Sequence, residues 1–144
     1  MSETGPPVIA IDPGTDKCGL AVVALGSAVL RREIVPRAEL GDRLRDFMEK
    51  YGTSRVIMGD RTFSKQLRKT LSTAFPAVNI SLVDEHLSTE EARKLYFEEN
   101  PPKGLWRWIP LSLQSPPVPY DDYAAIVLAR RFFQREQEQE GKKG

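Results

Sequence analysis

Three short apolar runs open the chain, at residues 8–11, 19–24 and 28–35, with only turn residues between them. At Leu40 the spacing of apolar residues changes from strand-like to helical. Asp12-Pro13-Gly14-Thr15 closes the first run, Leu25-Gly26-Ser27 the second and Pro36 the third, so the pattern predicts an antiparallel meander of three strands. Leu40, Leu44, Phe47, Met48 and Tyr51 then fall on one face of a helix that Gly52 stops. A fourth strand follows at 55–58, and Phe63, Leu67, Leu71 and Ala74 mark a second helix ended by Pro76. Val78, Ile80 and Leu82 alternate with polar residues in a fifth strand that ends at Asp84-Glu85. Ser88-Thr-Glu-Glu91 fits a capping box for a third helix reaching about Glu99. Residues 100–119, with six prolines, are predicted irregular; a last, alanine-rich helix spans 121–133, and the polar tail from Gln134 is expected to fray. The order β-β-β-α-β-α-β-α-loop-α predicts an α/β fold, a mixed five-stranded sheet with helices on both faces.

Composition excludes several functions. The 144 residues amount to one domain, residues 1–144, with no linker or internal repeat. One cysteine rules out an internal disulfide, and with one histidine it argues against a zinc site. Lys+Arg total 21 and Asp+Glu 20, so net charge names no partner and any charged surface must come from local segregation. No apolar stretch approaches the ~20 residues of a membrane helix, and the run at 8–11 is too short for a signal-peptide core. The expected location is the cytoplasm, with no membrane partner.

Acidic residues stand at the ends of predicted elements: Asp12 after the first strand, Asp84-Glu85 after the fifth, and Asp121-Asp122 at the start of the last helix. Ligand sites in open α/β sheets form beyond the carboxyl ends of strands. Parallel first and fifth strands would project Asp12 and Glu85 into one crevice, with Asp121 alongside. Carboxylates that close repel unless cations lie between them, and hard divalent ions with oxygen ligands suit the set. Two such ions ~4 Å apart support phosphodiester hydrolysis. Each acid also has a structural reading, since carboxylates cap helix starts and Asp-Pro-Gly makes a turn.

The segment VIAIDPGTDKCGLAVV resembles the first hairpin of the ribonuclease-H-like superfamily, in the branch shared by RuvC-type Holliday junction resolvases and YqgF/RuvX proteins. SLVDEHLSTEEA is similar to the YqgF pattern of an apolar strand, Asp-Glu, then Leu-Ser/Thr-Thr, and PYDDYAAIVLARRF to its last helix. The three blocks stand in the family's order over nearly the whole chain. The resemblance implies a ribonuclease-H-like fold and a Mg²⁺- or Mn²⁺-dependent nuclease site with Asp12, Glu85 and Asp121 as its acids and metal ligands. Asp122 is the neighbour that would serve if the register shifts by one. It implies a nucleic-acid substrate: processing of the 5′ end of precursor 16S ribosomal RNA, or cleavage of a DNA junction, structured RNA being favoured. It leaves open a monomer or a homodimer, and also a non-catalytic binding module, since the family includes degenerate domains. The chain departs from the family at MGDRTFSKQ after the fourth strand, at His86 where arginine is common, and in its longer proline-rich segment. An actin-like or sugar-kinase domain shares the Asp-x-Gly-Thr hairpin but needs a second half and a phosphate loop that this sequence lacks.

Residues 61–83 hold four basic side chains and no acid: Arg61, Lys65, Arg68 and Lys69. The last three share a helix face, either a phosphate-contacting ridge or a solvated surface. Gly14, Thr15 and Gly19 either let substrate backbone approach the Asp12 turn closely or shape a tight hairpin, the second being favoured. Trp106, Arg107 and Trp108 either stack on unpaired bases or pin the proline-rich segment to the core; tryptophans among prolines favour pinning. Thr62 and Ser64 are N-cap candidates and Cys18 a small turn or core residue; His86 either orients a water or contacts phosphate or is a hydrogen-bonded structural residue, the second being favoured.

Overall fold

In the computed structural model, residues 6–26, 28–60, 64–84, 88–110, 113, 114, 116, 117 and 119–143 are described. The first hairpin pairs β1 (Val8–Asp12) antiparallel with β2 (Lys17–Val23). Every residue of β1 is buried, as a continuous apolar run requires of a strand covered on both faces. β3 (Val29–Pro36) joins β2 as an edge strand whose Arg31, Arg32 and Glu33 keep the outer rim polar. α1 (Leu40–Tyr51) buries Leu40, Leu44 and Phe47 and stops at Gly52. β4 (Arg55–Gly59) returns parallel to β1, α2 (Ser64–Ala74) crosses back, and β5 (Asn79–Val83) lies parallel to β4. The sheet order is β3-β2-β1-β4-β5, mixed and five-stranded as the sequence pattern predicts.

Alternation along the central strands divides the core. Ile9, Ile11, Leu20, Val22, Val56 and Met58 pack with α1 and α2 on one face. Val8, Ala10, Ala21, Val23 and Ile57 pack beneath α4 (Asp121–Lys143) on the other. Residues Tyr123 to Ala129 of α4 are all buried, because the helix lies between the sheet and α3 (Ser88–Glu99). Its alanines let it settle close to the strands.

Two boundaries differ from expectation. The irregular segment contains a 3₁₀ turn, Gly104–Trp108. The polar tail does not fray at Gln134; α4 continues to Lys143. Glu, Gln, Arg and Lys are good helix formers, and the Arg55 guanidinium grips Glu136 at 3.0 and 3.1 Å.

Candidate active site

β1, β4 and β5 run parallel, so their carboxyl ends share one rim of the sheet. Asp12 is the last residue of β1 and is 5% exposed. Val8 and Ala10 lie under α4, so the two-residue period of the strand puts Asp12 on the α4 side as well. Across the hairpin Asp12 pairs with Gly19.

Gly19 is the joint of the site. A β-carbon there would collide with the carbonyl group of Asp121 and stand 2.7 Å from the amide nitrogen of Asp122. Only a residue without a side chain lets the first turn of α4 rest on the strand. The backbones of Asp12 and Asp121 are therefore both neighbours of Gly19, the first across the hairpin and the second on the α4 face. The sequence reading gave Gly19 to hairpin shape; its constraint comes instead from a helix about a hundred residues later in the chain. Gly14 does serve the turn, since a side chain there would strike the Lys17 carbonyl.

The Cys18 thiol registers both acids. Burial pushes its pKa up, and the charges of Asp12 and Asp121 push the same way. A backbone hydrogen bond at Gly14 and the Arg37 charge pull it down. The cysteine is a core residue beneath α1, as expected of an inert thiol.

The two neighbouring acids at the start of α4 have different surroundings. Asp121 is partly exposed, whereas Asp122 is 5% exposed. Asp122 accepts a hydrogen bond from Arg32 of β3 at 2.8 Å and one from the Tyr123 amide at 3.1 Å. Arg32 also stacks over the Tyr123 ring, 4.6 Å from its centroid. Its guanidinium is held charged beyond its ordinary value chiefly by the bond to Asp122. The Tyr123 hydroxyl donates to Glu99 at 2.8 Å. Neither Arg32 nor Tyr123 is singled out by the sequence pattern. The pairing of Arg32 with Ala21 places it on the α4 face, but that register depends on tertiary structure.

At the end of β5, the Asp60 amide donates to the Val83 carbonyl at 2.9 Å. Arg131 of α4 donates to the Asp84 carbonyl at 2.9 Å and to the Glu91 carboxylate at 2.8 Å, so it ties down both flanks of the connection from β5 to α3. Glu85 and His86 lie outside the described residues, as do Arg61 and Thr62. Among the described residues no group of three or more His, Cys, Asp or Glu stands ready to hold a metal ion. Asp12 and Asp121, whose backbones both neighbour Gly19, offer only hard oxygen donors, which fit Mg²⁺ or Mn²⁺ rather than a thiophilic ion.

Lys65, Arg68 and Lys69 are exposed on α2, whose Leu67 and Leu71 anchor it to the face opposite α4. The Ser64 hydroxyl donates to the Gly59 carbonyl at 2.6 Å and fixes the start of α2 at the carboxyl end of β4. Lys65 thus stands at the rim that carries Asp12, with Arg68 and Lys69 one turn farther down.

This architecture matches solved structures. RuvC of T. thermophilus in complex with a Holliday junction substrate aligns over 92% of this chain and 96% of its own, with a TM-score of 0.61 at 19% identity. A second Thermus thermophilus RuvC structure aligns over the same shares at 0.61 and 18% identity. The fold is ribonuclease-H-like. No family model and no curated protein matches the sequence. Among the described residues no helix is long and apolar enough to cross a membrane.

Proposed function

We propose that this chain is a divalent-metal-dependent endonuclease that hydrolyses phosphodiester bonds in structured nucleic acid, with 5′-end processing of precursor 16S ribosomal RNA as its reaction. The observation that carries this reading is that Gly19 has Asp12 as its hairpin partner and the Asp121 backbone packed on it, at the carboxyl end of β1. The YqgF resemblance of the three sequence blocks supports the ribosomal substrate. In this reading residues 1–144 act as one unit in the cytoplasm.

Asp12 and Asp121, joined by Glu85 from the end of β5, would hold Mg²⁺ or Mn²⁺. A bound divalent ion supplies an activated water and stabilises charge on the leaving oxygen. The protein's own part is positional. Gly19 sets how closely α4 approaches β1. The Asp122–Arg32 pair anchors the first turn of that helix, which supports Asp121 over Asp122 as the ligand. Arg131 holds Asp84 and Glu91, which flank Glu85 in the sequence. Lys65, Arg68 and Lys69, with Arg61, neutralise substrate phosphates and fix the strand without reading its sequence.

A four-way DNA junction is the second reading, favoured by the likeness to a junction-bound RuvC structure. A labelled precursor ribosomal RNA fragment and a four-way DNA junction, each incubated with Mg²⁺, with Mn²⁺ and with a chelator, separate the two. Metal-dependent cleavage of the RNA is expected. Cleavage of the junction alone would support the resolvase, and tight binding without cleavage of either would support a non-catalytic module. Light scattering on the same complexes reads the monomer or homodimer.

A further inference from the structure

The two tryptophans of the chain, Trp106 and Trp108, do not pin their segment to the core as expected. They are 60% and 76% exposed, beside Leu105 at 83% and Leu113 at 75%. Yet the turn that carries them is built. The Gln114 side chain, 7% exposed, donates to the carbonyls of Trp106 and Ile109 at 2.8 and 2.7 Å. The Ile109 amide closes the turn on Trp106 at 3.1 Å. Holding two indoles in water costs solubility and requires a reason.

A groove of about 660 Å³ runs between this turn and the end of α3, with Trp106, Lys103 and Tyr96 among its walls. It borders the first turn of α4. The Tyr96 ring meets Tyr123 edge-on at 5.6 Å, and Asn100 donates to the Tyr123 hydroxyl at 3.5 Å. Tyr123 stands two residues after Asp121, in the first turn of α4.

Charge selects the occupant. Residues 100–120 contain no Asp or Glu, although the chain has 20, and their charged residues are Lys103 and Arg107. The Arg107 guanidinium lies over the Trp108 ring, 5.4 Å from its centroid. Exposed indoles interleaved with cations and free of acids match a polyanion that carries flat aromatic groups.

We propose that the turn from Lys103 to Ile109 is a stacking platform for unpaired nucleobases next to the scissile phosphate. The indoles take the bases, while Lys103 and Arg107 take the adjoining phosphates. This deepens the proposed function, on which it rests: the substrate carries a single-stranded stretch beside the cleaved bond, whatever its sequence.

Because the chain has two tryptophans and both lie in this turn, its intrinsic emission reports the platform directly. The protein is titrated in chelator with a short single-stranded oligonucleotide, a blunt duplex of equal length, and an abasic strand of equal length and charge. The single strand is expected to quench the emission, the duplex to quench it far less, and the abasic strand to leave it unchanged. Anisotropy of the labelled single strand then follows variants: Trp108→Ala and Trp106→Ala should each weaken binding roughly 10-fold, with Trp108→Phe retaining most of it. Equal quenching by abasic and base-bearing strands, or alanine variants that bind like wild type, would overturn the platform. So would emission that shifts with protein concentration alone, the mark of a second copy covering the patch. Asp12→Asn keeps the quenching in this account, so a failed nuclease assay and a failed platform are separate results.

Discussion

The carbonyl of Asp121 occupies the space that a side chain at Gly19 would need, and Gly19 is the hairpin partner of Asp12. One missing β-carbon thus determines how closely the two acids approach. Gly19→Ala should push the first turn of α4 off the strand. The obstacle is backbone rather than a flexible side chain, so a loss of about 3 kcal/mol in urea unfolding is expected, at the upper end of overpacking costs. Cleavage should fall further than global stability accounts for.

Arg32 and Asp122 hold the same turn from the other side, at 2.8 Å. Arg32→Met should cost about 1–2 kcal/mol, less than a charged hydrogen bond in a closed interior, because 45% of the Arg32 side chain is in solvent. The difference from wild type should shrink as salt is raised in the unfolding buffer.

These two contacts also mark where sequence reading reaches its limit. The apolar runs and the helical spacing from Leu40 expose the strands, the helices and their order, because burial writes a local period into the chain. Asp121 and Asp122 look alike locally, both being acids at a helix start. What separates them is Arg32, ninety residues earlier, and Gly19, whose constraint exists only after α4 has docked. Trp106 and Trp108 misled for the same reason, since indoles among prolines look alike in sequence whether they are anchored or presented. The tail past Gln134 looked polar enough to fray, yet Glu136 finds Arg55 across the fold.

Alkaline pH should destabilise the fold through two groups. Burial raises the Cys18 thiol above its ordinary 9.0, and burial with the Glu99 bond raises Tyr123 above 10.0. Both are more protonated in the folded than in the unfolded state, so their contribution is full below the unfolded values. It is lost as pH rises from about 9 through the folded ones. Tyr123→Phe should flatten the part of this decline above about pH 10. Cys18 should resist a thiol reagent at pH 8 and react at once in denaturant; rapid labelling of the native protein would contradict its burial.

On the outer face of α2, Arg68→Ala combined with Lys69→Ala should weaken nucleic-acid binding and lower the slope of log affinity against log salt. Each lost phosphate contact is worth about 0.7–0.9 of slope. An unchanged slope would make these residues a solvated surface.

The most direct test of the site compares Asp12→Asn, Asp121→Asn and Asp122→Asn in single-turnover cleavage with Mg²⁺, each beside its own binding and unfolding curves. The expected result is a loss of about a hundredfold to a thousandfold in cleavage for the first two, with binding retained, the size typical of a lost electrostatic contribution at an active site. Asp122→Asn should lose stability and still cleave. Unimpaired cleavage by Asp12→Asn, or an inactive Asp122→Asn beside an active Asp121→Asn, would contradict the assignment.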